Sequence, residues 1–146
     1  MALDLAAARA LLDLSEEQLR GRFQIDGGEV HADRSYEGLQ HVTQYYNPKV
    51  FPARVYARDG RVHMVYVPSG PALEGLTPSG LAAQLGSEAA QMRSRAGKEF
   101  VHFVHAEQGV AYSGDDQEII FLEVFPPRSL QTYLAEVYRA PGPFVL

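Results

Sequence analysis

The 146-residue chain contains no cysteine. That excludes disulfide bracing, thiolate chemistry and cysteine-ligated zinc. A chain of this length buries roughly 70% of its unfolded surface and folds without such staples. No run approaches the ~20 apolar residues that a membrane span needs. The opening "MALDLAAARALLDL" is interrupted by Asp4, Arg9 and Asp13, and no basic stretch precedes an apolar one as in a secretory signal. On these grounds the sequence predicts a cytoplasmic protein with no membrane span. Basic surface is also missing. The net charge is −5, with nine acids and eight bases up to Gly70 and nine acids and five bases after it. No face is basic enough to pair phosphates, so no nucleic-acid partner is expected. The densest basic patch, "RSRAGK" with Arg93, Arg95 and Lys98, reads as solvated loop.

Catalytic signatures are absent too. There is no Gly-x-Ser-x-Gly, no P-loop and no Gly-x-Gly-x-x-Gly. His102 and His105 stand three apart in "HFVH". On a helix they would share a face, but on a strand they point to opposite sides. With no His-x-x-x-His either, no metal and no cofactor are expected. Asp115 and Asp116 sit in "GDDQE", where a turn between strands calls for polar residues.

What is present is ordinary globular composition, 46% hydrophobic and 21% charged, with an internal echo. "LSEEQLRGRF" begins at Leu14 and "LTPSGLAAQL" at Leu76. In the first, Ser15 caps a helix from Glu16 to about Phe23, Gln18 closes a capping box, and Leu14 with Leu19 forms a hydrophobic staple. In the second, Thr77 is the cap, Pro78 takes the first helical position, Leu76 with Leu81 repeats the staple, and Gly86 suits the C-terminal stop. An earlier helix is predicted over Leu3 to Leu12, with Leu5, Ala8 and Leu12 on one face and the Arg9 stem along its edge.

Each copy precedes a turn-rich loop and three apolar runs with short turns between them, which predict antiparallel hairpins. They are "LQHVTQYY", "FPARVYA" and "RVHMVYVP" in the first half, and "EFVHFVHAE", "VAYS" and "EIIFLEVFPP" in the second. Pro68 and Pro126 close matching strands. A final helix starts after Ser129, with Leu130, Tyr133, Leu134, Val137 and Tyr138 as its apolar stripe. The apolar Phe144, Val145 and Leu146 are expected to dock on the chain or on a neighbour. The expected fold is α+β: an antiparallel sheet with helices on one face, built as a tandem αβββ duplication. Residues 1–70 form the first unit and 71–146 the second, within one compact domain.

"LTPSGLAAQLG", followed by hairpins ending in "EIIFLEVF", resembles the SmpA/OmlA family of small outer-membrane lipoprotein domains. That family repeats a Thr-capped helix ending in Leu-Gly and then an antiparallel meander. Two such units in tandem resemble the arrangement of β-lactamase inhibitory protein. The resemblance spans Leu14 to Pro127 and implies a protein-binding role for the sheet.

Strand alternation separates Ile120, Leu122 and Val124 from Ile119, Phe121, Glu123 and Phe125. Aligning the matching strand places Val62, Met64 and Tyr66 with the first set, and Arg61, His63, Val65 and Val67 with the second. The second face mixes aromatic, aliphatic, His and Glu side chains, whereas a sheet covered on one side presents a polar second face. It is therefore expected to be covered by the terminal helix or tail, by a second copy, or by another protein. The leading expectation is a non-enzymatic protein-binding module using His63, Val65, Ile119, Phe121, Glu123 and Phe125, with a protein partner or a homodimer. On this reading Phe121→Asp spares the fold and abolishes association. The alternative is a small-ligand or catalytic pocket between sheet and helices, using His63, His102 or His105 with Glu123.

Overall fold

The computed structural model describes residues 4–141. Helix α1 (Leu5–Ala10) starts at Asp4, whose carboxylate accepts the Ala6 N–H, and tightens into a 3-10 turn over Leu11–Asp13. The tighter winding turns Leu11, rather than Leu12, fully into the core beside Leu5 and Ala8. Arg9 reaches across to the Gln108 carbonyl at 3.0 Å. Helix α2 (Glu16–Arg22) carries the complete capping box, with the Ser15 N–H donating to Gln18 at 2.9 Å and the Gln18 N–H to Ser15 at 3.1 Å.

Each half then contributes four strands where the sequence predicted three. The first four are β1 (Glu29–Tyr36), β2 (Leu39–Tyr46), β3 (Arg54–Arg58) and β4 (Arg61–Pro68). Helix α3 (Pro78–Leu85) follows, capped by Thr77 and stopped by Gly86 at φ 71°. The second four are β5 (Ala90–Arg93), β6 (Val101–His105), β7 (Val110–Gly114) and β8 (Ile119–Val124). Helix α4 (Leu130–Glu136) closes the described chain. Phe144, Val145 and Leu146 lie outside the described residues. Among those residues no helix is long and apolar enough to cross a membrane.

The eight strands form one antiparallel sheet in the order β1-β2-β3-β4-β8-β7-β6-β5. Two meanders run outward from a central β4–β8 pair, in which Val65 faces Val124 and Tyr66 faces Glu123. Directly paired residues share a face, so this register fixes what each side carries. Val65, Val67, Leu122 and Val124 join Leu11, Leu19, Phe23 and Leu81 in the larger core, under α1, α2 and α3. Tyr56, Met64, Val104, Ala111 and Phe125 form a second core with Tyr133 of α4 and Val137, the residue that ends it. The helices therefore lie on both faces, and α4 is the element that covers the mixed face.

Two features seat α4. Seven residues are too few to hold a helix in water, so its stability comes from burying Tyr133 and Val137, at about 1.5–3 kcal/mol for a fully buried large side chain. Its C-terminal end meets the β1–β2 turn, where the Gly38 N–H donates to the Val137 carbonyl at 2.8 Å. A β-carbon on Gly38 would fall 2.7 Å from the Glu136 carbonyl oxygen and 2.9 Å from its carbon. Gly38→Ala is therefore expected to push α4 off the sheet at a cost of about 1–3 kcal/mol. A lower urea midpoint, with loss of the near-ultraviolet tyrosine signal before the far-ultraviolet one, checks it.

Candidate functional site

A closed polar cluster lies between β8 and α4, centred on Glu123. The apolar strand "EIIFLEVF" places this carboxylate on the α4 side, and its partners come from other segments of the chain. The Tyr133 hydroxyl donates to Oε1 at 2.5 Å. The Tyr36 hydroxyl, from the end of β1, donates to Oε2. Arg95, from the β5–β6 loop, donates to Oε2 at 3.3 Å and to the Tyr36 hydroxyl at 3.1 Å, and its Nε pairs with Glu37 at 3.0 Å.

On the far side, Tyr133 accepts from His102 Nε2 at 2.8 Å. Since the Tyr133 proton goes to Glu123, the His102 proton must sit on Nε2. Nδ1 is then an acceptor, and it takes the Ser113 hydroxyl proton at 2.7 Å. Ser113 in turn accepts from Ser94 at 2.8 Å, and Ser94 from the Ala96 N–H at 3.1 Å. With Glu123 ionised, the Ser94–Ser113–His102–Tyr133 chain and the Tyr36 hydroxyl all donate toward it. Among the described residues no buried side-chain polar atom lacks a partner.

Burial dominates the electrostatics. It pushes the Glu123 carboxyl up to about 7, against the Tyr133 hydrogen bond, which favours the anion. It pushes His102 down to about 3, with the Arg95 charge helping, so the imidazole is neutral. Aromatic rings complete the seal. The Arg95 guanidinium lies 4.3 Å above the Phe121 ring centre, and His102 lies 5.6 Å from the same ring. Glu123, His102 and Tyr133 are 1%, 2% and 1% exposed. Arg95, 26% exposed at its side chain, is the member that reaches water. A carboxylic acid that titrates near 7 suits general acid–base work, but no substrate reaches this one while α4 is seated. What the cluster does in this conformation is key Tyr133, and with it α4, to the sheet.

The remaining expected site residues divide differently from the alternation read in the sequence. Val65 is fully buried on the α1–α3 face, not beside Glu123. The cause is the register: β4 pairs Tyr66, not Val65, with Glu123, one residue off the alignment that Pro68 and Pro126 suggest. His63 itself is partly exposed. Ile119, 4% exposed, also packs in the larger core. Phe121, Glu123 and Phe125 do share the α4 side, where Tyr133 of α4 packs on Phe125 and bonds Glu123, and Arg95 lies over Phe121.

Of the three histidines in the pocket reading, only His102 meets Glu123, at 3.6 Å. His105 points to the other side, as strand geometry requires, with Nε2 2.9 Å from the Tyr112 hydroxyl and Nδ1 2.9 Å from Ser87 Oγ. Among the described residues no three His, Asp or Glu side chains converge to hold a metal. Asp115 accepts the N–H groups of Gln117 and Glu118 at 2.9 and 3.0 Å, which spends it on its own turn.

Sequence reasoning missed Tyr36, Arg95 and Tyr133 as partners of Glu123, and Ser94 and Ser113 as partners of one another and of His102. One signal was available. A lone Glu in an apolar strand must find donors if it is buried, and a Tyr inside an apolar helical stripe is a donor of the right kind. Comparison of the chain with models of protein families, with curated proteins and with solved structures gives no match.

Proposed function

We propose that the chain is a protein-binding module that works through the α4 side of its sheet, with self-association as its simplest form. The observation that carries this reading is on α4 itself. Leu130 and Leu134 are 38% and 41% exposed, and they are the large exposed apolar residues among those described. They stand one helical turn apart and form a short outward ridge on the helix that caps the mixed face. Apolar side chains grouped on one exposed element are the usual mark of a contact surface. The sealed state of Glu123 supports the same reading, because a module that binds has no need to admit a substrate there. The two four-stranded meanders about the β4–β8 pair support a duplicated origin, in line with the echo between the α2 and α3 segments.

Sedimentation velocity over a concentration series tests the proposal. The wild-type chain is expected to associate. Leu134→Glu is expected to weaken association by tenfold or more, the equivalent of about 1.4 kcal/mol per decade, with an unchanged melting temperature. A chain that stays monomeric throughout, or that associates equally well as Leu134→Glu, sinks the reading.

A further inference from the structure

A second polar relay stands 2.9 Å from a surface serine. Ser87 follows the Gly86 stop of α3 and is exposed. Its Oγ lies 2.9 Å from His105 Nδ1, and His105 Nε2 lies 2.9 Å from the Tyr112 hydroxyl. The Tyr112 proton is directed at the Pro78 carbonyl, at 3.4 Å. In the tautomer that carries its proton on Nε2, His105 donates to the Tyr112 hydroxyl. That leaves the Nδ1 lone pair facing the Ser87 hydroxyl. Burial holds His105 below the ordinary histidine range, which keeps it in this neutral form. Gln108 fixes the serine from the other side, with Nε2 3.1 Å from Ser87 Oγ and 3.1 Å from the Leu85 carbonyl.

The relay opens on a cleft of about 270 Å³, whose apolar wall includes Ala90, Val104, Ala106 and Leu130. A nucleophile, a base aligned by its tautomer, and a third group that orients the base form the general pattern of covalent catalysis by serine. Its parts are a loop residue after a helix, a strand-end histidine and a mid-strand tyrosine, so no contiguous motif announces it.

We infer that Ser87 is a nucleophile activated by His105 and oriented through Tyr112, and that it reacts with esters of short apolar acyl groups. Ser87 Oγ adds to the ester carbonyl carbon as its proton passes to His105 Nδ1. The carbonyl π pair moves to the carbonyl oxygen. Collapse of that intermediate breaks the ester C–O bond, and the alcohol leaves with the proton from His105. Water, deprotonated by His105 in its turn, hydrolyses the acyl-serine and releases the carboxylic acid. The cleft volume favours short chains over long ones. The exposed carboxylates of Glu88 and Glu107 at its rim disfavour anionic esters. This activity goes beyond the binding reading and does not depend on it.

The test uses the intact wild-type chain and a small alkyl fluorophosphonate, which transfers its phosphonyl group to an activated serine as the P–F bond breaks and fluoride leaves. Ser79 serves as the internal control. It is an exposed serine on α3 whose neighbour at 3.5 Å is the Thr77 hydroxyl, not an imidazole. Peptide mass spectrometry is expected to show Ser87 labelled ~100-fold faster than Ser79, the scale of a positioned general base. Equal labelling of the two, or no labelling at Ser87, overturns the inference. Tyr112→Phe keeps the ring and removes the acceptor. It is expected to lower the maximal labelling rate at Ser87 without changing the probe concentration that gives half that rate. An unchanged maximal rate removes Tyr112 from the relay.

Discussion

Phe121→Asp is expected to unfold the chain, not merely to disable a surface. The sequence pointed to the opposite outcome, because Phe121 belongs to a face with too much apolar character to stand in water. In the structure that face is closed, and Phe121 is 4% exposed. Its ring lies against Tyr66 at 5.7 Å and His102 at 5.6 Å, with the Arg95 guanidinium above it. Removing the ring costs about 3–5 kcal/mol. One effect works the other way, since the new carboxylate would stand close to Arg95. That guanidinium is already shared between Glu123 and Glu37, and Glu123 is two residues away on the same face. A second carboxylate there meets like charge and loses its hydration. Repulsion and desolvation outweigh a third share of one arginine. The sum approaches the whole ~5–15 kcal/mol stability of an ordinary domain. Circular dichroism is expected to show no cooperative thermal transition. A Phe121→Asp protein that melts like the wild type would show that the ring does not pack as described. Leu134→Glu is the natural counterpart: a charge inside the face breaks the fold, whereas a charge on the outer ridge of its cover leaves it intact.

The legible parts of the fold were those that local chemistry decides. Ser15 with Gln18, Thr77 with Pro78, and Gly86 each act within one turn of helix, and all stand where the sequence placed them. The Asp59-Gly60 pair between β3 and β4, with both residues at positive φ, is a hairpin signal of the same local kind. The two outer strands were not legible. Strand β1 carries exposed polar residues over most of its length, is bulged between His31 and Arg34, and has Asp33 at φ 56°. An edge strand gains its pairing from one neighbour and needs no apolar alternation, so it reads as loop. Strand β5 has four residues and the same disguise. The assignment of faces failed for a different reason. Matching Pro68 to Pro126 sets β4 one residue out of step with β8, where Tyr66 pairs with Glu123, and a bulge in each strand, at His63 and at Ile120, breaks the period-two count near its start. As for the candidate site, Glu123 was visible as an anomaly. Its partners Tyr36 and Arg95 are 87 and 28 residues away in sequence, and only the sheet order brings them together.

Stability against pH is expected to form a plateau with two unequal shoulders, set by the opposed behaviour of His102 and Glu123. His102 lies at about 3 in the folded chain against an ordinary 6.5. Between those values the unfolded chain binds more protons, so stability is fully present above 6.5 and is lost as pH falls toward 3. Glu123 lies at about 7 against an ordinary 4.5. Here the folded chain binds more protons, so stability is fully present below 4.5 and is lost as pH rises through 7. Between 4.5 and 6.5 the slopes of these two groups oppose, while His63 and His105, also held low by burial, add to the His102 side. Of the pair, only His102 acts below 4.5 and only Glu123 above 6.5. Each tenfold change in proton affinity is worth about 1.36 kcal/mol, so the full His102 contribution is on the order of 5 kcal/mol. His102→Gln isolates it. At about pH 7, above the ordinary histidine range, the variant is expected to be less stable than the wild type, having lost the imidazole between Ser113 and Tyr133. The gap should then close as pH falls toward 3, because the variant has no imidazole to protonate. Carboxylates outside the cluster titrate alike in both proteins and drop out of the difference. Urea unfolding of both proteins across this range measures the gap. A gap that is constant with pH would mean that His102 carries its proton in the folded chain, and the donor order that ends at Glu123 would then be wrong.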